Sequence, residues 1–460
     1  MAMAWAKRSL HVAEERSSFE RFYRGFLTLQ RLLFVLMLTM IGAELHAAAP
    51  GQLIIVGGAL DRDNTTVFRA FIDRVADGGS IALIGAASGS PASSMAGFAA
   101  DLVHHGVDPA RVVPIALAWR DDSDTTVDES TWRDNASDAE EVARIRRAGG
   151  IWFTGGDQSR ITRILLADDG SATPMLEAMR ERLAEGIVIG GTSAGAAVMS
   201  DPMVSGGDNL PVLLAGLTSL MADEVALPLP QPGTVDDINV LSMGAGLGFL
   251  PGVLLDQHFD ARARLGRLVM ALLTRPPQAR VGIGIDENTG VAIDLGSEQL
   301  EVLGAASITL VDARDAVAGV GGVRGLRLSV LAPGSRVNLL SFEVTAPDWQ
   351  LSTAGAERFD RMPVSLAGVA TPAGATLGEQ LGEALLDNVG AGSVDYLSFR
   401  LSLGNGADAG GQGVVYRFRQ KPESRGYRGL HAGSSHYSVV DLAFDVELRR
   451  LVIEPAAAIP

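Results

Sequence analysis

The sequence predicts a three-layer α/β/α protein with a mostly parallel sheet, followed by a β-rich C-terminal extension. Three features carry this: short apolar runs without polar alternation, helical-period segments between them, and strict alternation near the C-terminus. Short continuous apolar runs read as strands buried on both faces, and the helices between them as crossovers of a parallel sheet.

Taken in order, QLIIVGG from Gln52 reads as a strand and VFRAFIDRVA from Val67 as a helix. SIALIGAAS from Ser80, MAGFAADLVHHG from Met95 and RVVPIAL from Arg111 continue the alternation, and EEVARIRRAGGIWFTGGD, Glu140 to Asp157, reads as helix then strand. GIVIGG (Gly186 to Gly191), VGIGID (Val281 to Asp286) and GVAIDL (Gly290 to Leu295) extend the strand series. SITLVD from Ser307 and LRLSVL from Leu326 add a β-rich stretch ending near Leu340. Further on, Leu442, Phe444, Val446 and Leu448 alternate with Ala443, Asp445, Glu447 and Arg449, the pattern of a half-buried antiparallel strand. Glycine-rich stretches at 389–393 and 404–413 read as loops. The expected organisation is a signal-peptide region over 1–49, a catalytic domain over 50–345 and the β-rich extension over 346–460.

With 460 residues, 47% of them hydrophobic, the chain has ample material for a packed core. It has no cysteine, which excludes disulfides, thiolate metal sites and a cysteine nucleophile, so serine must carry any covalent chemistry. The formal charge of −16 argues against a nucleic-acid backbone as partner and suits an arginine-rich ligand better. Arg21, Arg24 and Arg31 precede the apolar run Leu32 to Ile41, and Gly42, Ala43 and Ala47 to Ala49 follow it. That order predicts a signal peptide, cut between residues 45 and 50, and a secreted or periplasmic product, with a buried N-terminal helix as the alternative. The run is about half the roughly 20 residues a membrane-crossing helix needs, so no stable span is expected after cleavage.

Gly191-Thr192-Ser193-Ala194-Gly195 is G-x-S-x-G, set between the strand GIVIG and a helix-compatible AAVMS. A sharp strand-to-helix turn puts the serine in a strained conformation and needs small neighbours. An oxyanion formed there would meet the amide of Ala194 and the positive end of a helix dipole. An ordinary turn or a phosphate-binding loop is the alternative. Outside the signal-like segment the candidate bases are His104, His105, His258, His431 and His436. His258, in Asp256-Gln257-His258-Phe259, follows an apolar run whose end lies at the carboxyl edge of the sheet, where α/β proteins bind ligands. A core histidine bonded to a carbonyl is the other reading. His104 and His105 end a helix before Gly106, which suits capping better than a metal pair, because neighbouring side chains on a helix point in different directions. Asp286 and Glu287 end the strand VGIGID, and either could orient an imidazole; spacing leaves the choice open, with a turn cap as the alternative for Asp286. Gly155-Gly156-Asp157-Gln158 follows IWFT, so Gly156 is a candidate second oxyanion donor, with Asp157 as a helix cap in the alternative reading.

GGDQ, GTSAGA, DQHF followed by spaced arginines, and DENT, in that order, resemble the cyanophycinases of the peptidase S51 family from about Gln52 to Leu340, the opening IIVGG included. The resemblance implies a glutamine-amidotransferase-like (flavodoxin-like) fold and a Ser-His-Glu triad of Ser193, His258 and Glu287. It implies that Gln158, Asp256 and Gln257 line the substrate site. Two or more of Arg262, Arg264 and Arg267 would clamp aspartate carboxylates. The implied activity is hydrolysis of cyanophycin, a polyaspartate bearing arginine on each side-chain carboxyl, to β-Asp-Arg dipeptides from the chain end. Expected partners are cyanophycin or β-aspartyl-arginine peptides, with a homodimer left open; no metal, cofactor or nucleic acid is expected. The extension and the loop 203–245 depart from the family pattern. Rival readings are an aspartyl dipeptidase of the same family and a non-catalytic secreted binding module.

Overall fold

The apolar runs become strands. The computed structural model describes residues 51–221, 240–361, 366–367, 376–402 and 410–452, which belong to one compact unit, so the signal-like segment and part of the loop 203–245 lie outside the described residues. The strands are β1 (Gln52–Val56), β2 (Ser80–Ile84), β3 (Val112–Ile115), β4 (Ala148–Phe153), β5 (Val188–Thr192), β6 (Met203–Gly206), β7 (Ser242–Gly244) and β8 (Leu254–Gln257). They continue with β9 (Val281–Ile285), β10 (Thr289–Asp294), β11 (Gln299–Gly304), β12 (Ile308–Asp312), β13 (Val317–Gly319), β14 (Gly322–Leu331), β15 (Arg336–Asn338), β16 (Val344–Thr345) and β17 (Leu351–Ser352). The last are β18 (Leu366–Ala367), β19 (Ser393–Ser402), β20 (Gly410–Arg419), β21 (Arg425–His431) and β22 (Ser434–Val452).

One sheet has the order β16-β15-β11-β10-β1-β5-β4-β2-β3. The five strands β3, β2, β4, β5 and β1 pair in parallel, joined by helices that cover the sheet, Thr65–Ile72, Pro91–His104, Ala139–Arg147 and Pro174–Ala184 among them. Local signals set the helix ends. The Asn64 side chain accepts from the amide of Val67, and Asp138 accepts from those of Glu140 and Glu141, while Arg144, Arg146 and Arg147 fill the last turn of that second helix.

The strands VGIGID and GVAIDL do not extend this parallel series together. Only residues 286–288 join β9 to β10, too few for a parallel crossover, so the chain reverses and enters another sheet. There β10 lies antiparallel to β1, whereas β9 pairs in parallel with β8 and antiparallel with β12. The second sheet runs β18-β19-β20-β22-β14-β12-β9-β8. Its C-terminal strands continue the catalytic region's own strands: Leu442 and Phe444 of β22 pair with Leu328 and Leu326 of β14. Tyr416, Phe418 and Phe444 are buried in one cluster with Leu254, Phe259, Leu265 and Leu268. Gly410 to Gly413, expected within a loop, open β20, and Gly413 is small because a Cβ there would lie 3.2 Å from that of Phe399 on β19. Among the described residues no helix is long and apolar enough to cross a membrane.

Candidate active site

β5 ends at Thr192, and the chain turns at Ser193 into the helix Ala194–Ala197. Ser193 sits at φ 55°, ψ −109°, a region that side chains with a Cβ rarely occupy and that surrounding structure must hold. The turn closes because its flanks are glycines: a Cβ on Gly191 would lie 2.6 Å from the carbonyl oxygen of Gly195. The Ser193 amide donates to the Val56 carbonyl at 3.0 Å, and its carbonyl accepts from the amides of Ala196 and Ala197. Ala194 is the first residue of the helix, so its own amide has no partner within that helix.

His258 leaves β8 at φ 47°, its amide donating to the Gly57 carbonyl at 2.7 Å. Its Nε2 lies 2.9 Å from the Ser193 hydroxyl oxygen, and its Nδ1 lies 2.6 Å from Oε1 of Glu287, just past β9. A carboxylate can only accept, so Nδ1 carries the proton and Nε2 is left as the acceptor facing the serine. Burial holds the imidazole pKa below its ordinary value, outweighing the hydrogen bond to Glu287, and the positive charge of Arg262 acts in the same direction as burial. Asp286, the other carboxylate in question, accepts from the amides of Asp260 (3.1 Å) and Ser307 (3.2 Å), and burial raises its pKa well above the usual range. The structure therefore brings Glu287 to the imidazole and gives Asp286 to the loop that follows His258.

Gly58 is a site residue that motif reading passed over. At φ 114° it lies beside the imidazole, and a Cβ there would fall 2.3 Å from Cε1 and 2.4 Å from Nε2 of His258. The signal was present as the paired glycines closing IIVGG at a strand end. Gly58→Ala should displace the ring and lower turnover by about 10²-fold, since a misplacement of about 1 Å suffices for that; steady-state rates check this, with circular dichroism showing the fold retained.

The glycine pair after β4 backs onto the serine: a Cβ on Gly155 would lie 3.3 Å from that of Ser193. Gly156, at φ 143°, packs against the carbonyl of Ala87. Asp157 caps the next helix, accepting from the Ser159 amide at 2.8 Å. Gln158 is buried, and its amide nitrogen donates to the carbonyls of Val204 (3.0 Å) and Ser205 (3.2 Å), so this donor anchors β6 and is not offered to a ligand.

The arginine cluster divides, and Arg267 and Asp256, both expected at the substrate site, are paired inside the protein. Asp256 is 2% exposed and Arg267 4%, and they face each other, with Nε donating to Oδ2 at 3.0 Å and Nη2 to Oδ1. Both leave the set of groups open to a ligand, because each charge is consumed by the other inside the protein. Arg264 is also buried, bonded to the Gln257 carbonyl, and burial pushes its guanidinium down to about 10 against the pull of Asp256. Arg262 is exposed. Gln257 is buried, and its Oε1 has no hydrogen-bond partner among the described residues.

The remaining histidines have other partners. His105 bonds the Arg62 carbonyl at 2.7 Å and stacks on Phe68, His104 faces Asp63 at 3.2 Å, and His431 and His436 pack on Trp349. Among the described residues no group of three or more histidine or acidic side chains could hold a metal.

The model of Peptidase family S51 matches residues 127–300. A protein named cyanophycinase from Synechococcus elongatus is 32% identical over 313 residues, covering 65% of this chain and 82% of its own length. One of the same name from Nostoc sp. is 30% identical over 304 residues, covering 64% of this chain and 87% of its own. Among solved structures, a peptidase from an acI-B1 Actinobacterium is 17% identical with a TM-score of 0.39, covering 65% of this chain and 98% of that one.

Proposed function

The chain belongs to peptidase family S51, a family of peptide-bond hydrolases, and from that premise we propose that it is an exported serine exopeptidase that degrades cyanophycin to β-Asp-Arg dipeptides. The observation that carries this reading is the line from Ser193 through His258 to Glu287, with spacings of 2.9 and 2.6 Å. Ser193 Oγ attacks the scissile carbonyl as Nε2 of His258 takes its proton, and Glu287 stabilises the imidazolium. The oxyanion is held by the amide of Ala194 and by one from the Gly155-Gly156 turn. Collapse of the tetrahedral intermediate passes the proton to the leaving amine and leaves an acyl-enzyme. That amine is the chain-terminal β-Asp-Arg dipeptide, and water, deprotonated by the same imidazole, then releases the shortened polymer from Ser193.

The relatives' shared name favours cyanophycin as substrate. Every aspartate of that polymer carries arginine on its side-chain carboxyl, so the units flanking the scissile bond are far larger than ordinary aspartates and dedicated positioning is required. Arg262, exposed beside the imidazole, is suited to the terminal aspartate carboxylate, and the net charge of −16 favours a polymer rich in guanidinium groups. The signal-like order at residues 21–49 supports export, which would let the enzyme scavenge a polymer released from other cells.

Incubating the purified chain with cyanophycin and weighing the products tests this reading. β-Asp-Arg should accumulate from the start, whereas intact polymer or long internal fragments would contradict it. The base works only when neutral, so activity falls as pH drops through the His258 pKa. Because burial lowers that pKa, the acid limb of kcat/KM should lie below the ordinary imidazole value of about 6.5.

A further inference from the structure

Besides the strand pairing and the shared apolar cluster, the C-terminal strands make a polar contact with the catalytic framework at Tyr416. Tyr416 of β20 is fully buried, and its hydroxyl accepts from Asn209 Nδ2 at 3.3 Å. Asn209 opens the helix Asn209–Met221, and its Oδ1 accepts from the backbone amide of Arg267 at 2.8 Å. Arg267 in turn grips Asp256 and also donates from Nη1 to the Gly207 carbonyl at 2.8 Å. Asp256 Oδ1 accepts from the Gln257 amide at 2.8 Å, one residue before His258. The approach is close: a Cβ on Gly266 would lie 2.5 Å from the Tyr416 hydroxyl and 2.8 Å from Asn209 Oδ1. Tyr416 shares its hydrophobic cluster with Leu254 of β8, with Phe259, and with Leu265 and Leu268 of the helix Leu265–Leu273.

Resting on the reading of Ser193 as nucleophile, we infer that Tyr416 is a positioning residue: with Asn209 it sets the start of helix Leu265–Leu273, so that Arg267 holds Asp256 and thereby the end of β8 from which His258 projects. His258 occupies a left-handed backbone conformation, which needs rigid anchoring on both sides. One anchor is the Gly57 carbonyl on β1's exit, and the other is the Asp256–Arg267 pair. Strands β19, β20 and β22 are in this account part of the active-site framework, and they do for β8 what the parallel strands do for β5.

The test is the rate at which a phosphonofluoridate labels Ser193, which reports nucleophile activation without substrate recognition. Four proteins are compared: the wild type, Tyr416→Phe, Asn209→Ala and the double variant, each with its melting temperature. Tyr416→Phe keeps the ring and its packing, and should slow labelling by about fivefold, the worth of one hydrogen bond, at temperatures well below its own melting transition. Asn209→Ala should slow it at least as much, and the double variant should be no slower than Asn209→Ala alone. Wild-type labelling rates in Tyr416→Phe, fully additive losses, or a loss that merely follows unfolding would overturn the inference. A wild type that is not labelled, or labelling that survives Ser193→Ala, would overturn the reading of Ser193 beneath it.

Discussion

Ser193→Ala should lower the turnover of cyanophycin by about 10⁴-fold or more, because it removes the atom that forms the acyl-enzyme and leaves only binding and oxyanion contacts. The fold should be indifferent to the change. Ser193 is held through its backbone, by the Val56 carbonyl on one side and the first helical amides on the other, while its hydroxyl touches His258. Alanine at φ 55° bears the same strain as serine does. Initial rates at saturating polymer, with circular dichroism and an unfolding midpoint as controls, give the answer. Hydrolysis within tenfold of wild type would remove Ser193 from the chemistry.

Arg267→Met has the largest expected effect on stability, about 3–5 kcal/mol, because it leaves the Asp256 carboxylate buried without its counter-charge. The exposure values make this more than a surface pair: 4% for Arg267 and 2% for Asp256. Arg264 stands 3.5 Å from Asp256 and is engaged with the Gln257 carbonyl, so it can replace Arg267 only in part. Denaturant unfolding should show the loss, and adding Asp256→Leu should recover much of it, since a buried pair removed as a pair is far cheaper than one broken. A single variant as stable as wild type would mean that solvent reaches Asp256 after all.

The parts of this protein that were legible in its sequence are those set by neighbours along the chain. The buried strands announce themselves as apolar runs, and the Ser193 turn as small residues between a strand and a helix. His258 and the pair Asp286–Glu287 could be placed at strand ends, yet which carboxylate meets the imidazole could not be read, because consecutive residues at a strand end face opposite ways and the outcome depends on the Asp260 and Ser307 amides that claim Asp286. At Gly58 the paired glycines were visible but their purpose was not, because it comes from a ring 200 positions away. The arginines were grouped as one cluster through the family resemblance, but the burial of Arg267 against Asp256 is decided by packing beneath β20 and the helix Asn209–Met221. Sheet membership was equally non-local. The three residues between β9 and β10 rule out a crossover, while only the pairing of β22 with β14 shows how the C-terminal strands are attached.

The proposed chemistry requires that an imidazole oriented by a carboxylate make one hydroxyl of this chain unusually nucleophilic. Mass spectrometry of the intact chain and its peptides after reaction with a phosphonofluoridate measures this directly. A single adduct on Ser193, absent from Ser193→Ala and formed far more slowly in His258→Ala, is the predicted result. An adduct on another residue, or none from a chain that still cleaves cyanophycin, would contradict it.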